Sequence, residues 1–257
     1  MKIPSSHPRA ESLRIREILK KGFDEGIVIA HGLIAQGRGE TFDYLIGEKT
    51  TPVAISSIRA AAAYLLIAER PVISVNGNIA VLSPKEIVEL ANLIGGKIEV
   101  NLFHRSAKRE LLIKKRLLIH GAKDVLGVGS SASVNLSGFE SHRRKVDPRG
   151  ILVADTVLVP LEDGDRTLNL REAGKIVIAI DLNPLSRTAQ TATVTIVDNV
   201  VRAMPLLVKE TNSLKKEPID KLERIVKEFD NKSNLQKCIS HISKRLIQIS
   251  ASNEVLK

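Results

Sequence analysis

Three apolar segments in the second half of the chain each end abruptly in a cluster of acidic, amide, hydroxyl and arginine side chains. Residues 157–160 precede Leu161-Glu-Asp-Gly-Asp-Arg-Thr167, residues 177–180 precede Asp181-Leu-Asn-Pro-Leu-Ser-Arg-Thr188, and residues 195–197 precede Asp198-Asn199. Continuous apolar runs are typical of strands buried on both faces of a parallel sheet. In open α/β sheets, ligands bind just beyond the carboxyl ends of the strands. The pattern therefore predicts a ligand site at that end of the sheet.

Charge and cysteine content narrow the class of protein. The 257 residues carry a formal net charge of +10, which suits either nucleic acid or small phosphorylated ligands. Without Trp and with two Tyr and five Phe, the chain has few aromatic platforms for bases, so small anions are favoured. The single cysteine, Cys238, excludes an internal disulfide and favours the cytoplasm. No apolar run reaches the roughly 20 residues that span a bilayer, so we expect neither a membrane nor a nucleic-acid partner.

The order of apolar segments indicates an α/β fold. Strands alternate with helices of about 10–15 residues, as in βαβ units with a mostly parallel sheet. We expect an N-terminal helical and glycine-rich segment over residues 1–70, an α/β core over 71–204 and a C-terminal helical extension over 205–257. The predicted strands are 71–82, 97–103, 124–128, 151–160, 175–181 and 193–197, and the predicted helices are 10–26, 56–68, 83–93, 107–120, 200–209, 219–229 and 235–249.

Two polar segments upstream are ambiguous. Residues 32–39 are rich in glycine and predict a loop whose amides approach a phosphate with the help of Arg38, or else an ordinary connection. Asn76-Gly-Asn78 favours a tight turn inside the strand region, and the alternative is that both amides project into a cleft. Arg16, on the polar side of the first helix, has the pattern of a surface charge.

The polar clusters after the strands each carry a chemical hypothesis. Glu162, Asp163 and Asp165 suit either Mg²⁺ or a solvated turn with a helix cap. The cluster 181–188 offers an acid and an amide for a ribose, with Arg187 and Thr188 for phosphate. The bland alternative there is a capped turn. The histidines lack the spacing of a zinc site, and His104 with Arg105 is the pair best placed for function.

Six segments together resemble the archaeal phosphopantothenate synthetase family, also called 4-phosphopantoate–β-alanine ligase. The resemblance covers roughly residues 3–210 in the expected order. The residues 121–141 and the C-terminal helices are less typical of the family. The segments that carry the resemblance are 3–9, 32–40 with 42–48, 75–78, 161–167, 181–187 and 195–199.

The resemblance implies a Rossmann-like core, a homodimer and an ATP-dependent ligase of coenzyme A biosynthesis. Such an enzyme joins 4-phosphopantoate to β-alanine and releases AMP and diphosphate, which suggests an acyl-adenylate. The ATP contacts implied are Arg16, Arg38, Asp181, Leu182, Asn183, Arg187, Thr188, Asn199 and Val200, with Arg38 and Arg187 as the catalytic phosphate clamps. Candidates for the phosphopantoate end are Asn76, Asn78, His104, Arg105 and Lys145, and candidates for Mg²⁺ are Asp163 and Asp165. The alternative hypothesis is a non-catalytic basic protein that binds nucleotides or nucleic acid.

Overall fold

The structure, a computed structural model, describes residues 4, 6–7, 9–136 and 144–252. Within these ranges a five-stranded parallel sheet has the strand order β2-β1-β5-β6-β7, and β3 and β4 form a small antiparallel pair. The strands are β1 (Pro71–Val75), β2 (Lys97–Val100), β3 (Val134–Asn135), β4 (Lys145–Val146), β5 (Thr156–Pro160), β6 (Ile176–Ile180) and β7 (Val194–Ile196). The helices are α1 (Ala10–Asp24), α2 (Ala30–Ile46), α3 (Pro52–Ile67), α4 (Gly77–Leu82), α5 (Pro84–Ile94), α6 (Ala107–Ile119), α7 (Gly164–Glu172), α8 (Arg187–Thr191), α9 (Val200–Leu214), α10 (Ile219–Glu228) and α11 (Asn231–Ala251).

The predicted α/β class with a mostly parallel sheet and flanking helices is confirmed. Strands β1, β5 and β7 are buried along their whole length, as their mainly apolar sequences predicted. Ile73 and Val75 on one face of β1 belong to a large core shared with the helices at both ends of the chain, while Val72 packs with α7 on the opposite face. The sheet is therefore covered on both sides, which explains the absence of a polar alternation in its strands.

Several predicted boundaries were wrong, and the glycine-rich segment predicted as a loop is a helix. Residues 32–39 lie inside α2, and the strand expected over 71–82 ends at Val75 before α4 begins. The strand expected over 124–128 is reduced to one bridge between Leu126 and Glu99. Strands expected over 97–103 and 151–160 occupy only 97–100 and 156–160. His142, Arg143 and parts of the segment 3–9 lie outside the described residues.

The C-terminal helices pack against the N-terminal ones. Helices α9 and α10 both contact α3, and α11 contacts α2 and α3. One core thus includes residues from all three of the segments expected from sequence, whose boundaries stay a prediction. Within the described residues, none of the helices combines the length and the apolar character that crossing a membrane requires.

Candidate active site at the carboxyl ends of the strands

A cavity of about 770 Å³ opens at the carboxyl ends of β1, β2, β5 and β6 and is closed on one side by α2. This volume lies within the range of small-molecule sites, roughly 300–1,000 Å³. The site residues predicted from sequence that line it are Arg38, Asn76, Asn78, His104, Asp163, Asp181, Leu182, Asn183, Arg187 and Thr188. The strand-end clusters at 161–167 and 181–188 therefore contribute to one common site, while the cluster at 198–199 does not.

Helix α2 presents Arg38 to the cavity because its glycines permit close packing rather than a loop. A Cβ on Gly32 would lie 2.3 Å from the Asn78 side-chain oxygen, so no larger residue fits without a shift. Asn78 in turn donates from Nδ2 to the Gly32 carbonyl at 2.9 Å. This tertiary contact outweighs the poor helix propensity of glycine. The side chain of Arg38 makes no hydrogen bond or ion pair within the part of the chain that the structure describes.

Asn76 links β1 to β5, the neighbouring strands at which the order of strands in the sheet reverses. Its Oδ1 accepts from the amides of Asn78 and Ile79 at 3.0 and 3.2 Å, which caps α4, so the tight turn predicted inside a strand is instead a helix start. Its Nδ2 donates to the carbonyls of Pro160 and Leu161 at 2.9 and 3.1 Å. Leu161 has a φ of 55°, a conformation that non-glycine residues seldom adopt, and it turns the chain sharply after β5. The bond from β1 to β5 spans the topological switch point, where open α/β sheets bind ligands.

The acidic cluster after β5 is largely used by the protein itself. The buried side chain of Glu162 pairs with Arg166, and burial lowers the pKa of Arg166 to about 10. Asp163 caps α7 by accepting from the Arg166 amide at 2.8 Å. Asp165 pairs with Arg187 at 2.8 Å on the surface. Among the described residues, no group of three or more acidic, histidine or cysteine side chains is arranged to hold a metal.

The cluster after β6 forms a rigid, polar loop. Asp181 accepts from the Asn183 amide at 2.9 Å and from the Ser186 hydroxyl at 2.5 Å. Burial raises the pKa of Asp181, which these hydrogen bonds and the charge of Arg38 oppose. The Thr188 hydroxyl donates to the Glu162 carbonyl at 3.0 Å, which ties this loop to the end of β5. Both strand-end segments are thus held in place before any ligand binds.

Six of the predicted site residues are absent from the lining of this cavity. Arg16 donates to Glu40 at 2.7 and 3.2 Å, as a surface pair. Asn199 caps α9 and donates to Asp43 at 2.8 Å, and with buried Val200 it lies beyond α2 from the cavity. Arg105 pairs with Glu110 at 2.6 Å, and the exposed Lys145 offers its backbone carbonyl to Asn101 and Arg105. Asp165 lies at the surface, paired with Arg187.

Sequence reasoning overlooked Arg109, a buried arginine that lines the cavity. Its Nε donates to the Ile27 carbonyl at 2.7 Å and its Nη1 to the His104 carbonyl at 2.8 Å. Burial lowers the pKa of Arg109. In the sequence it stands among the lysines and arginines of α6, and no spacing distinguishes it from them. The rings of His31 and His104, which also line the cavity, contact each other at an interplanar angle of 38° with centroids 4.5 Å apart.

The chain is similar to known proteins along nearly its whole length. A family model described as phosphopantothenate/pantothenate synthetase matches residues 53–245. A protein of Methanosarcina mazei named 4-phosphopantoate–beta-alanine ligase is 52% identical over 249 residues, covering 97% of both chains. Proteins of the same name from Thermococcus onnurineus and Methanospirillum hungatei are 48% and 44% identical over 250 and 247 residues, covering 97% and 96% of this chain and 95% and 99% of their own.

Proposed function

The chain belongs to the phosphopantothenate/pantothenate synthetase family, and on that premise we propose that it joins 4-phosphopantoate to β-alanine with ATP as co-substrate. The product places the protein in coenzyme A biosynthesis. One observation carries the link to the site. Of the residues that the resemblance assigns to ATP, six line a single cavity at the switch point of the sheet, namely Arg38, Asp181, Leu182, Asn183, Arg187 and Thr188.

We place the nucleotide on the β5 and β6 side of the cavity. Arg38 and Arg187 are the groups there that can neutralise its phosphates, Arg187 by exchanging its weak, exposed pair with Asp165 for a phosphate. Neutralisation of charge that develops on phosphate oxygens is the main task in such a transfer. Asp181 and Asn183 project from the loop after β6, where α/β proteins hold ribose or base. Because hydrogen bonds within the loop already orient both side chains, binding requires little rearrangement.

The reaction follows from the need to activate a carboxylate. A carboxylate oxygen of 4-phosphopantoate attacks the α-phosphorus of ATP, and diphosphate leaves as the acyl-adenylate forms. The β-alanine nitrogen then attacks the acyl carbon, a C–N bond forms, the C–O bond to AMP breaks, and the nitrogen loses a proton to solvent. The cavity favours these two steps by holding the reactants in line. Such alignment removes much of the activation barrier of a reaction between two substrates.

Mg²⁺ would reach the site with the phosphates of ATP. Asp163 fits as a single protein ligand because it lines the cavity, and Mg²⁺ commonly uses one or two carboxylates together with waters and substrate phosphates. Asp165 does not fit in the present arrangement, since it lies at the surface on Arg187. The metal would offset phosphate charge while the arginines orient the nucleotide.

Two further expectations belong to this proposal. We propose a homodimer, supported by apolar side chains that α11 leaves exposed, including Leu246 and Ile247. We also propose a cytoplasmic location, supported by the single, buried and unpaired Cys238. A non-catalytic nucleotide or nucleic-acid binder is not favoured, because relatives that match nearly the whole chain carry the name of a ligase.

The decisive experiment follows the fate of ATP. We expect AMP, diphosphate and phosphopantothenate to form in equal amounts when ATP, Mg²⁺, 4-phosphopantoate and β-alanine are all present. Omission of any one organic substrate should stop product formation. Release of ADP and phosphate would contradict the adenylate route, and salt-dependent retention of oligonucleotide without ATP turnover would support the non-catalytic alternative.

A further inference from the structure

The cavity has a second half, remote from the proposed nucleotide contacts, which we call the α6 corner. It is formed by Arg109, His104, His31, Gly77 and Asn78, all of which line the cavity. Gly77 and Asn78 follow β1, His104 and Arg109 follow β2, and His31 lies at the start of α2. The nucleotide contacts follow β5 and β6, apart from Arg38, which lies further along α2. With neighbouring strands about 4.8 Å apart, β2 and β6 are separated by roughly 14 Å in the order β2-β1-β5-β6.

Arg109 is the positive charge of this corner, and the fold holds it there. The residue is 8% exposed, and two of its nitrogens donate to the Ile27 and His104 carbonyls. The remaining nitrogen, Nη2, makes no hydrogen bond within the described residues and lies beside Gly77, where a Cβ would approach it to 2.5 Å. The backbone carbonyls therefore fix the guanidinium in position while Nη2 is left for another partner.

The corner contains no counter-charge for this arginine. Within the described ranges no carboxylate forms an ion pair with Arg109, whereas Arg105, which lies just before α6, pairs with Glu110 at 2.6 Å. Burial of an unpaired charge is unfavourable, and proteins usually compensate it with an ion of opposite sign. A buried guanidinium at the wall of a cavity is accordingly suited to a ligand that brings a negative charge.

The chemistry of the substrate decides which anion this is. In 4-phosphopantoate the carboxylate and the phosphate lie at opposite ends of a four-carbon chain. The carboxylate must meet the α-phosphorus of ATP, so the phosphate points away from the nucleotide. The apolar side chains of Leu102 and Phe103 line the cavity next to the corner and can contact the carbon chain.

We propose that Arg109 binds the phosphate of 4-phosphopantoate and thereby makes the enzyme select the phosphorylated acid over pantoate. Guanidinium groups match phosphate oxygens in charge and geometry. The inference rests on the proposed function, since it concerns the second substrate of that reaction. It replaces Arg105, whose charge Glu110 already neutralises, as the arginine of the phosphopantoate subsite.

The test compares two acids on two enzymes. Arg109→Gln removes the charge but keeps an amide that can donate to a carbonyl. We expect kcat/KM for 4-phosphopantoate to fall by about 10- to 100-fold, the usual effect of losing a charged hydrogen bond. With pantoate, the variant and the unchanged enzyme should agree within about threefold, and the KM for ATP should likewise change by less than about threefold. Arg109→Lys should be intermediate.

A matched control and a binding measurement separate this role from a structural one. Lys108→Gln alters the preceding, exposed residue of α6 and should leave all constants unchanged. Addition of 4-phosphopantoate should raise the unfolding midpoint of the unchanged protein, and that of Arg109→Gln much less. Because this measurement reports binding alone, it tests the proposal even if turnover of pantoate is undetectable. The proposal would be overturned if Arg109→Gln lost kcat/KM equally for 4-phosphopantoate and pantoate, or if only its KM for ATP changed. It would also be overturned if 4-phosphopantoate raised the unfolding midpoint of the variant as much as that of the unchanged protein. If the unchanged enzyme forms no phosphopantothenate, the proposed function itself fails, and this inference with it.

Discussion

Two arginines of this protein, the buried Arg109 and the largely buried Arg202, have opposite electrostatic surroundings. Arg202 on α9 contacts Asp43 at 2.5 Å, Asp198 at 2.8 Å and Glu11 at 3.1 Å. Burial opposes its charged form, but the hydrogen bonds and charges of Asp43 and Asp198 raise the pKa of Arg202. Arg109 has no carboxylate in contact among the described residues, and burial lowers its pKa.

The difference indicates what each charge is for. A buried ion that finds its counter-ion within the chain links secondary structures, here α1, α2 and the start of α9. A buried ion without a counter-ion in the chain is available to pair with a ligand of opposite charge. The distinction also sorts the other arginines, because Arg105 and Arg16 are paired with acids while Arg38 faces the cavity without one among the described residues. Arg187 is intermediate, since its pair with Asp165 is exposed on both sides and therefore weak.

Replacement of Arg202 should produce the largest effect. In Arg202→Met the carboxylates of Asp43 and Asp198 stay buried without their counter-charge, and removal of one partner from such a network typically costs about 3–5 kcal/mol. The free energy of unfolding, measured by denaturant titration at neutral pH, should fall by that amount. Lys20→Met breaks the exposed pair with Asp24 and serves as the control with little effect.

The pH dependence of this loss tests its electrostatic cause. Burial already raises the pKa of Asp198 above its ordinary value, and loss of Arg202 raises it further. Between the unfolded and folded pKa values the native state then binds more protons than the unfolded state, so stability rises as pH falls. The deficit of Arg202→Met should therefore be smaller at pH 5 than at pH 8. An identical deficit at both pH values would point to lost packing instead.

Replacement of Arg38 should affect catalysis while leaving stability nearly unchanged. Arg38→Ala removes a cavity cation that makes no hydrogen bond or ion pair with the described residues and acts on Asp181 only through its charge, so the unfolding midpoint should stay within about 1–2 °C. We expect kcat/KM for ATP to fall by about 10- to 100-fold through loss of a charged contact to phosphate. Steady-state rates of AMP formation measure this.

Arg38→Lys provides the matched variant. It keeps the charge but not the planar fork of donors, so partial recovery is expected. Full activity of Arg38→Ala would remove this residue from the site. A large drop in its unfolding midpoint would instead show that Arg38, like Arg202, belongs to the structural group.

The sheet was predictable because its buried strands are read directly from continuous apolar runs. The segments 157–160 and 177–180 lie in neighbouring strands, and their polar ends meet in one cavity. What could not be predicted depends on tertiary contacts. The packing of Gly32 against Asn78 turns a glycine-rich segment into a helix, and no local rule contains that contact.

The lining of the cavity was predictable to the same degree. Residues that follow the strands, such as Asp181 and Thr188, line it as their position in the sequence predicted. Arg109 also lines it but could not be predicted, because a cation on a helix is indistinguishable from a surface charge until its neighbours are known. For the same reason Arg105 appeared suitable, although its partner Glu110 is only five residues away in sequence.

Arg16 shares features with both the arginines paired to acids and those proposed to bind a ligand, and its replacement should give the smallest effect. The resemblance assigns it to ATP, but in the structure its guanidinium donates to Glu40, whose hydrogen bond raises the pKa of Arg16. Because that carboxylate already balances its charge, Arg16→Ala should raise the KM for ATP by only about threefold, well below the effect of Arg38→Ala. The measurement is the dependence of AMP formation on ATP concentration.

Glu40→Gln makes this prediction sharper. The substitution keeps a hydrogen-bonding side chain beside Arg16 but removes the negative charge, so Arg16 should then attract phosphate more strongly and the KM for ATP should decrease. If Arg16→Ala were as damaging as Arg38→Ala, Arg16 would have to leave Glu40 when ATP binds. Pairing with an acid in the chain would then not suffice to mark an arginine as structural, and the contrast between Arg202 and Arg109 would rest on burial as well as on charge.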